Sequence, residues 1–475
     1  MKTETSANFG AQNGASAQLA RDLNLSHAGA VVVGTIIGSG IFLVPQEMMQ
    51  AGGSARIVYL AWLVGGLLSF FGALTYAELG AMKPQAGGEY VYVRDGYGPL
   101  AAFLYGWTYF LIAKPASIAS ITTGLVRTLA TFPVFAFFSQ PCFSAGSFFV
   151  TYGQFVAIAA SVFITWLNYI GIRKAGEFQF LFTLLKVAIV LAVIAVGFSY
   201  RGGTWANFAT GFAGAKGGIS GFFAALVAAL WAYDGWNDLN MVAGEVRHPQ
   251  RNIPLSLIWG VATVGALYVL MNAAVQYAMT ASAIAASARP AADTVAFVLG
   301  HRGAVLVSIG IAVSMLVTLN GTTMSGARIP FAMSRDRYFF KSLASVHRRF
   351  HTPSVALIVQ CSLASLLLLG GGNFRQFFSL AIFAEWLFYM IAGSTIFVFR
   401  IRDPLAARPY HVLGYPVVPA LFIAASAVLL YFTFTDNLRY SAEGCIAILA
   451  GIPVFYLFAQ RRALENPGKG NQIRP

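Results

Sequence analysis

Charge is what this sequence has least of. Only 10% of its 475 residues are Asp, Glu, Lys or Arg, whereas 57% are hydrophobic and the mean hydropathy is +0.68. A soluble domain carries about a quarter charged residues, so the shortage excludes a water-soluble globule and implies a polytopic chain with the lipid bilayer as its solvent. Cysteine is scarce as well. Cys142, Cys361 and Cys445 are too few and too scattered for a disulfide framework or a thiolate metal site, and neither a metal nor a cofactor is expected. Glycine-rich phosphate loops, dinucleotide fingerprints and zinc-protease helices are absent, which removes the usual machinery of ATP-driven pumps and hydrolases; the chain is not expected to be an enzyme. Acids are outnumbered 17 to 31 by Lys and Arg, for a formal charge of +14. The basic residues fall in short loops between apolar runs and do not gather on one amphipathic element, so nucleic acid is not an expected partner. The polar tail 1–27 lacks the charged and apolar regions of a cleavable leader.

What is present is a succession of apolar runs. Windows of roughly 20 residues give about twelve spans, at 28–49, 57–82, 99–128, 150–170, 178–200, 217–243, 255–280, 303–329, 353–371, 376–400, 414–434 and 442–460. Spans three and eight are long, as tilted helices would be. With the N-terminus inside, Lys83, Arg94, Arg173, Lys174, Arg247, Arg251, Arg335, Arg400, Arg402 and Arg408 share the cytoplasmic side, and fewer cations, such as Arg201, Lys216, Arg289 and Arg302, fall opposite. That bias predicts a multi-pass protein of the cell membrane with both termini cytoplasmic. The loop from Pro133 to Gly146, holding Cys142 as an unpaired thiol, carries no charge and is expected at the outer interface.

Two apolar runs are interrupted. The first contains Gly34-Thr-Ile-Ile-Gly-Ser-Gly-Ile-Phe42, with three glycines in seven residues. Glycine costs a helix interior about 1 kcal/mol relative to alanine, and irregular backbone at membrane depth survives only inside protein or along a cavity. Gly34-x-x-x-Gly38 alone would equally serve as a close-packing face for a neighbouring helix. The sixth run is broken by Trp231-Ala-Tyr-Asp-Gly-Trp-Asn-Asp238. Matching interruptions in two five-span halves are the sequence mark of a transporter with inverted repeats.

These two stretches resemble the first and sixth helices of L-type amino-acid transporters, within the amino acid–polyamine–organocation superfamily. The similarity continues through Gly244-Glu-Val-Arg-His-Pro-Gln-Arg-Asn-Ile-Pro254, Asn320-Gly-Thr-Thr-Met-Ser-Gly-Ala-Arg328, Met333-Ser-Arg-Asp336 and Ala384-Glu-Trp-Leu387. The resemblance implies an all-α fold of about twelve transmembrane helices. Residues 28–200 would form the first repeat, 201–400 the second and 401–460 two trailing helices, between cytoplasmic tails 1–27 and 461–475. It also implies alternating access for amino acids. Eukaryotic relatives bind a single-span accessory subunit through a cysteine in the loop that here holds Cys142; the sequence gives no sign of such a partner.

A substrate amino acid offers a carboxylate and an ammonium. The half-helix beginning near Ser39 presents free N–H groups and the positive end of its dipole, which suit an anion. The carboxylate is therefore assigned to the N–H groups of Ser39, Gly40 and Ile41, with the Ser39 hydroxyl as an extra donor. Gly38 and Gly40 permit close approach to the backbone, and Ile37 completes the broken segment. By resemblance, the ammonium goes to carbonyls at Ile36, Trp231 and Asp234, beside Ala232. Trp231 also matches an aromatic that closes over substrate in the family, although a core role would equally suit a chain that is 14% aromatic. Lys186, an intramembrane lysine and hence a functional candidate, matches a lysine that stands in for sodium in sodium-independent relatives; a purely structural pairing with a carboxylate is the alternative.

Asp234 and Glu385 depart from the family, where glycine and asparagine or a small residue are usual. Desolvation favours the neutral form of a buried carboxyl. Glu385 thus has three open roles: partner of a polar substrate side chain, proton-coupling group, or structural partner of Lys114 or Lys186. Asp234 is expected to shape the break, and Asn237 to line the pocket. Glu245 with Arg247, and Arg335 with Asp336, are candidate inner-gate pairs or simply solvated loop charges. The expected activity is sodium-independent exchange of neutral L-amino acids. Proton-coupled uptake, or transport of cationic amino acids or polyamines, is the alternative; a channel or membrane sensor finds no support in a repeated filter or an appended domain.

Overall fold

The computed structural model describes residues 19–145, 148–372, 374–436 and 438–465. The chain is almost wholly helical. In order the helices are α1 (Leu25–Ile36), α2 (Ser39–Gly52), α3 (Ala55–Met82), α4 (Glu89–Tyr97), α5 (Pro99–Thr108), α6 (Lys114–Leu129), α7 (Tyr152–Tyr169), α8 (Ile172–Ser199), α9 (Gly218–Tyr233) and α10 (Asp238–Met241). They are followed by α11 (Pro249–Ala278), α12 (Ala281–Ala286), α13 (Pro290–Gly326), α14 (Arg328–Arg335), α15 (Ser354–Leu369), α16 (Phe374–Arg402), α17 (Val417–Asp436), α18 (Leu438–Leu449) and α19 (Gly451–Glu465). Among the described residues, nine continuous stretches are long and apolar enough to cross a bilayer, with α1 and α2 counted together. Helices α9 and α15 are apolar but only 16 residues each, and α7 carries Gln154, Ser161, Thr165 and Asn168, which is why fewer than twelve stretches qualify on length and apolarity. The expectation of an all-α chain needs one correction. The uncharged loop forms an antiparallel hairpin, β1 (Pro141–Ala145) with β2 (Phe148–Thr151), and the exposed Cys142 thiol on it donates to the Val150 carbonyl.

Local chemistry explains the irregular points. Pro115 has no N–H to return to the preceding turn; the ladder slips to i→i−5, so that Lys114 N–H reaches the Tyr109 carbonyl across a π-turn at Tyr109–Ala113. This turn carries Lys114 into the protein interior. Helix α13 kinks at Gly300, where φ is +65°. Gly235, with φ +98°, begins the turn after α9 and packs against Thr35 of α1, so the two interrupted segments abut.

The sidedness of α8 shows how polar groups reach the centre. Its buried positions recur at helical spacing and include Gln179, Thr183 and Lys186, whereas Leu181, Leu184, Leu185 and Leu191 are exposed. Leucine outward and lysine inward is the arrangement a lipid solvent selects. The core beside the breaks is aromatic: Trp236 is fully buried, with Tyr76 at 4.9 Å and Tyr389 at 5.3 Å between ring centres. Such pairs add about 0.5–1.5 kcal/mol each beyond burial.

At the end of the molecule where α1 begins, Leu23 forms a parallel bridge with Val246. Leu23 N–H donates to the Glu245 carbonyl at 3.0 Å, and Arg247 N–H donates to the Leu23 carbonyl at 2.8 Å. Arg247 also pairs with Asp22, while Glu245 binds Arg328 through both carboxylate oxygens, at 2.9 and 3.0 Å, fully buried. Asp336 pairs with Arg94 at 2.8 Å. Of the residues proposed as Glu245–Arg247 and Arg335–Asp336 pairs, Glu245, Arg247 and Asp336 therefore engage partners remote in sequence, while the Arg335 guanidinium lies over the Phe331 ring one turn earlier. Neighbours in sequence at a helix end diverge around its axis, and the fold supplies closer opposites.

Candidate binding site at two helix breaks

The first run separates at Ile37 and Gly38, which leave the helical region (φ −70°, ψ 85° and φ −124°, ψ −141°). The break releases carbonyls, and the structure accounts for most of them. Lys186 Nζ donates to the Gly34 carbonyl at 2.6 Å and to the Ile37 carbonyl at 2.5 Å, and also reaches Thr318 Oγ1 at 3.2 Å. Thr318 and Ser314, one turn apart on α13, supply further hydroxyls to the Ile37 carbonyl at 3.2 and 3.1 Å. All the recorded partners of Lys186 are uncharged oxygens, so the alternative of a lysine–carboxylate pair does not describe it. The Tyr268 hydroxyl of α11 lies 2.8 Å from the Ile36 carbonyl and 3.0 Å from the Ala232 carbonyl, tying one break to the other.

On the far side of the break, the first-turn N–H groups of α2, at Ser39, Gly40 and Ile41, have no acceptor within their own helix. The Ser39 side chain lies outside the described residues. A cavity of about 20 Å³ opens here, lined by Thr35, Ile36, Gly38, Gly40, Trp231 and Asp234, with Ser117, Ile121, Thr318 and Thr322. That is room for about one water, so an amino acid would enter only if the walls moved apart. Gly40 faces the backbone of Ala232, whose Cβ would stand 2.7 Å from an added Cβ. Glycine is needed at 40 for α2 to lie against α9, whatever else it admits.

Trp231 is buried and stacks on Phe378 of α16, with 5.9 Å between ring centres and 24° between planes; Phe374 meets it edge-on. The Arg127 guanidinium lies 6.0 Å from the Phe374 ring, near Gln46 and Glu47 of α2. Trp62, by contrast, packs edge-on against Tyr233 and Tyr268, close to the break carbonyls.

Asp234 reaches the cavity wall, whereas Asn237 and Glu385 lie behind it. The Tyr389 hydroxyl stands 2.7 Å from Asp234 Oδ1 and 2.9 Å from Asn237 Oδ1, and Asn237 Nδ2 is 2.5 Å from Glu89 Oε1. Glu385 Oε1 accepts from Ser117 at 3.2 Å, and Lys114 pairs with Asp238 at 2.6 Å, both groups fully buried. Of the two lysines considered for Glu385, Lys114 is the one in its neighbourhood. Thr318, Ser314, Tyr268, Tyr389 and Glu89 were not singled out by sequence. The available signal was modest: hydroxyls at i and i+4 within the eighth span, and a tyrosine amid the apolar run of the seventh.

Two broken helices meeting at a small polar cavity, with a buried lysine bonded to the carbonyls released at one break, define a membrane protein of the transporter class. The comparisons specify which. The profile of the amino acid permease family matches residues 23–455, and this chain belongs to that family. It is 33% identical over 450 residues to the serine/threonine exchanger SteT of Bacillus subtilis, covering 94% of this chain and 98% of the relative. It is 31% identical to the human b(0,+)-type amino acid transporter 1 (93% and 88% covered) and 30% identical to the human cystine/glutamate transporter (93% and 86%).

Proposed function

We propose that this chain is a sodium-independent amino-acid exchanger of the cell membrane, working by alternating access. Its span count would be twelve: α1–α2, α3, α5–α6, α7, α8, α9–α10, α11, α13, α15, α16, α17 and α18–α19. The first ten would form two inverted repeats, with the breaks at Ile37–Gly38 and Asp234–Asn237 in corresponding positions, and both termini cytoplasmic. The observation that carries the reading is the Lys186 ammonium bonded to the Gly34 and Ile37 carbonyls. A fixed cation satisfies the released backbone without a dissolved one. The substrate carboxylate would bind the N–H groups of Ser39, Gly40 and Ile41. Its ammonium would bind the Ile36, Trp231 and Asp234 carbonyls, with Trp231 and Phe378 closing above. The activities of the relatives, a serine/threonine exchanger among them, support neutral amino acids such as serine and threonine as first candidates.

The test is uptake of radiolabelled L-threonine into proteoliposomes holding the purified protein. Uptake should require internal L-serine or L-threonine and persist when choline replaces sodium. Uptake that needs sodium, or that is indifferent to internal amino acid, overturns the reading.

A further inference from the structure

Behind the cavity, Asp234, Tyr389, Asn237 and Glu89 form an unbroken line of short contacts from α9 through α16 to α4. Donor arithmetic constrains it. A tyrosine hydroxyl has one proton, a carboxamide has an accepting oxygen and a donating nitrogen, and ionised carboxylates donate nothing. With the Asn237 oxygen toward Tyr389 and its nitrogen toward Glu89, Tyr389 can donate to Asn237 or to Asp234 but not to both. The remaining contact then needs a proton on Asp234. With the carboxamide turned over, its nitrogen donates to Tyr389 and Tyr389 donates to Asp234, and Glu89 must now carry the proton to reach the Asn237 oxygen. Either way the chain closes only with one carboxyl proton, at one end or the other.

The surroundings point the same way. Asp234, Glu89, Asp238 and Glu385 are all buried about a single ammonium, Lys114, which is committed to Asp238. Asp238 Oδ2 and Glu385 Oε2 are buried without any partner. Tyr105 and Tyr109 face the group from the third run and Tyr76 from α3; Arg94, further along α4, forms a separate pair with Asp336. Four buried carboxylates against one ammonium cannot all be ionised without a large desolvation cost. Burial pushes Glu89, which lies outside the spans, up to about 7, against the lowering effect of the Asn237 hydrogen bond.

We propose that Asp234–Tyr389–Asn237–Glu89 is a proton site holding one exchangeable proton, displaced when substrate binds at the cavity. The inference rests on the transporter reading. The substrate ammonium, arriving beside Asp234, adds positive charge and favours the ionised carboxylates. The proton is given up to bulk solvent as substrate binds; no other bond forms or breaks. Binding therefore expels a proton, and by linkage affinity for substrate rises with pH.

The experiment uses full-length protein in weakly buffered detergent at pH 6.5 with a soluble pH indicator. Saturating L-threonine should release roughly one proton per protein bound. In proteoliposomes with equal pH on both faces, the threonine KM should fall about fivefold or more between pH 6 and pH 8. Glu89→Gln supplies the missing donor by its own amide, so it should abolish proton release and flatten the KM profile while exchange continues. Release below about 0.2 proton from wild-type protein that does exchange threonine overturns the proposal, whether or not the variant folds. Unaltered release from a folded, exchanging Glu89→Gln protein overturns it as well. Failure of wild-type protein to bind or exchange any amino acid strikes the transporter reading instead.

Discussion

Lys186 and Tyr268 each hold backbone oxygens at a helix break, one with charge and one without, and their loss should differ accordingly. Hydrogen bonds to charged groups contribute about 1.5–3 kcal/mol and neutral ones about 1 kcal/mol. Lys186→Met should lower threonine exchange by about tenfold or more, with folded yield on size exclusion the accompanying control. Tyr268→Phe, which leaves the Trp62–Tyr233 packing in place, should cost less, about fivefold. Arg328→Met would strand Glu245 as a buried charge and destabilise by about 3–5 kcal/mol, and pairing it with Glu245→Met should restore most of the loss. Melting curves in detergent distinguish these outcomes. For Glu89 the sign follows from its folded value of about 7, above an unfolded value near 4.3. No cost arises below the lower value; the cost of ionising a buried group then grows until pH passes about 7. Wild-type protein should melt at higher temperature at pH 5 than at pH 8, and Glu89→Gln should narrow that gap. At this scale sequence could identify Lys186, because a lysine inside an apolar run is anomalous on its face. Tyr268, Thr318 and Tyr389 are ordinary residues whose meaning depends on which helix faces which, information no single stretch contains.

Helices were more legible than contacts. The two breaks could be read because glycine clusters and an Asp-Gly-Trp-Asn run are costly in an apolar helix, and the π-turn is explicable from Lys114-Pro115 once the slipped hydrogen bond is seen. The roles of individual glycines were less visible. Gly40 reads as a residue that clears space for a ligand, yet its hydrogen faces Ala232 on α9. Gly40→Val should consequently reduce folded, membrane-inserted protein, measured by yield and melting temperature, and cannot report on binding alone. Trp62→Ala is likewise no neutral comparison for Trp231→Ala, since Trp62 supports the two tyrosines beside the breaks. The hairpin β1–β2 escaped an all-helical reading because short strands in an uncharged loop leave no periodic trace.

Across the whole molecule, composition alone dictated a lipid-solvated chain, and the inverted sidedness of α8 is its physical expression. Composition could not dictate closure. Both ends of the molecule are bound by groups from distant parts of the chain: Arg127 with Gln46 and Glu47 near the hairpin, and Arg328–Glu245 and Arg94–Asp336 at the opposite end. The Leu23–Val246 bridge joins the lead-in of the first broken helix to the lead-out of the second. Two peptide links couple those segments like a coupling rod, so one cannot swing outward without dragging the other or snapping the link. Cysteines placed at 23 and 246 and oxidised to each other should lock the carrier in place, and a reducing agent should set it moving again.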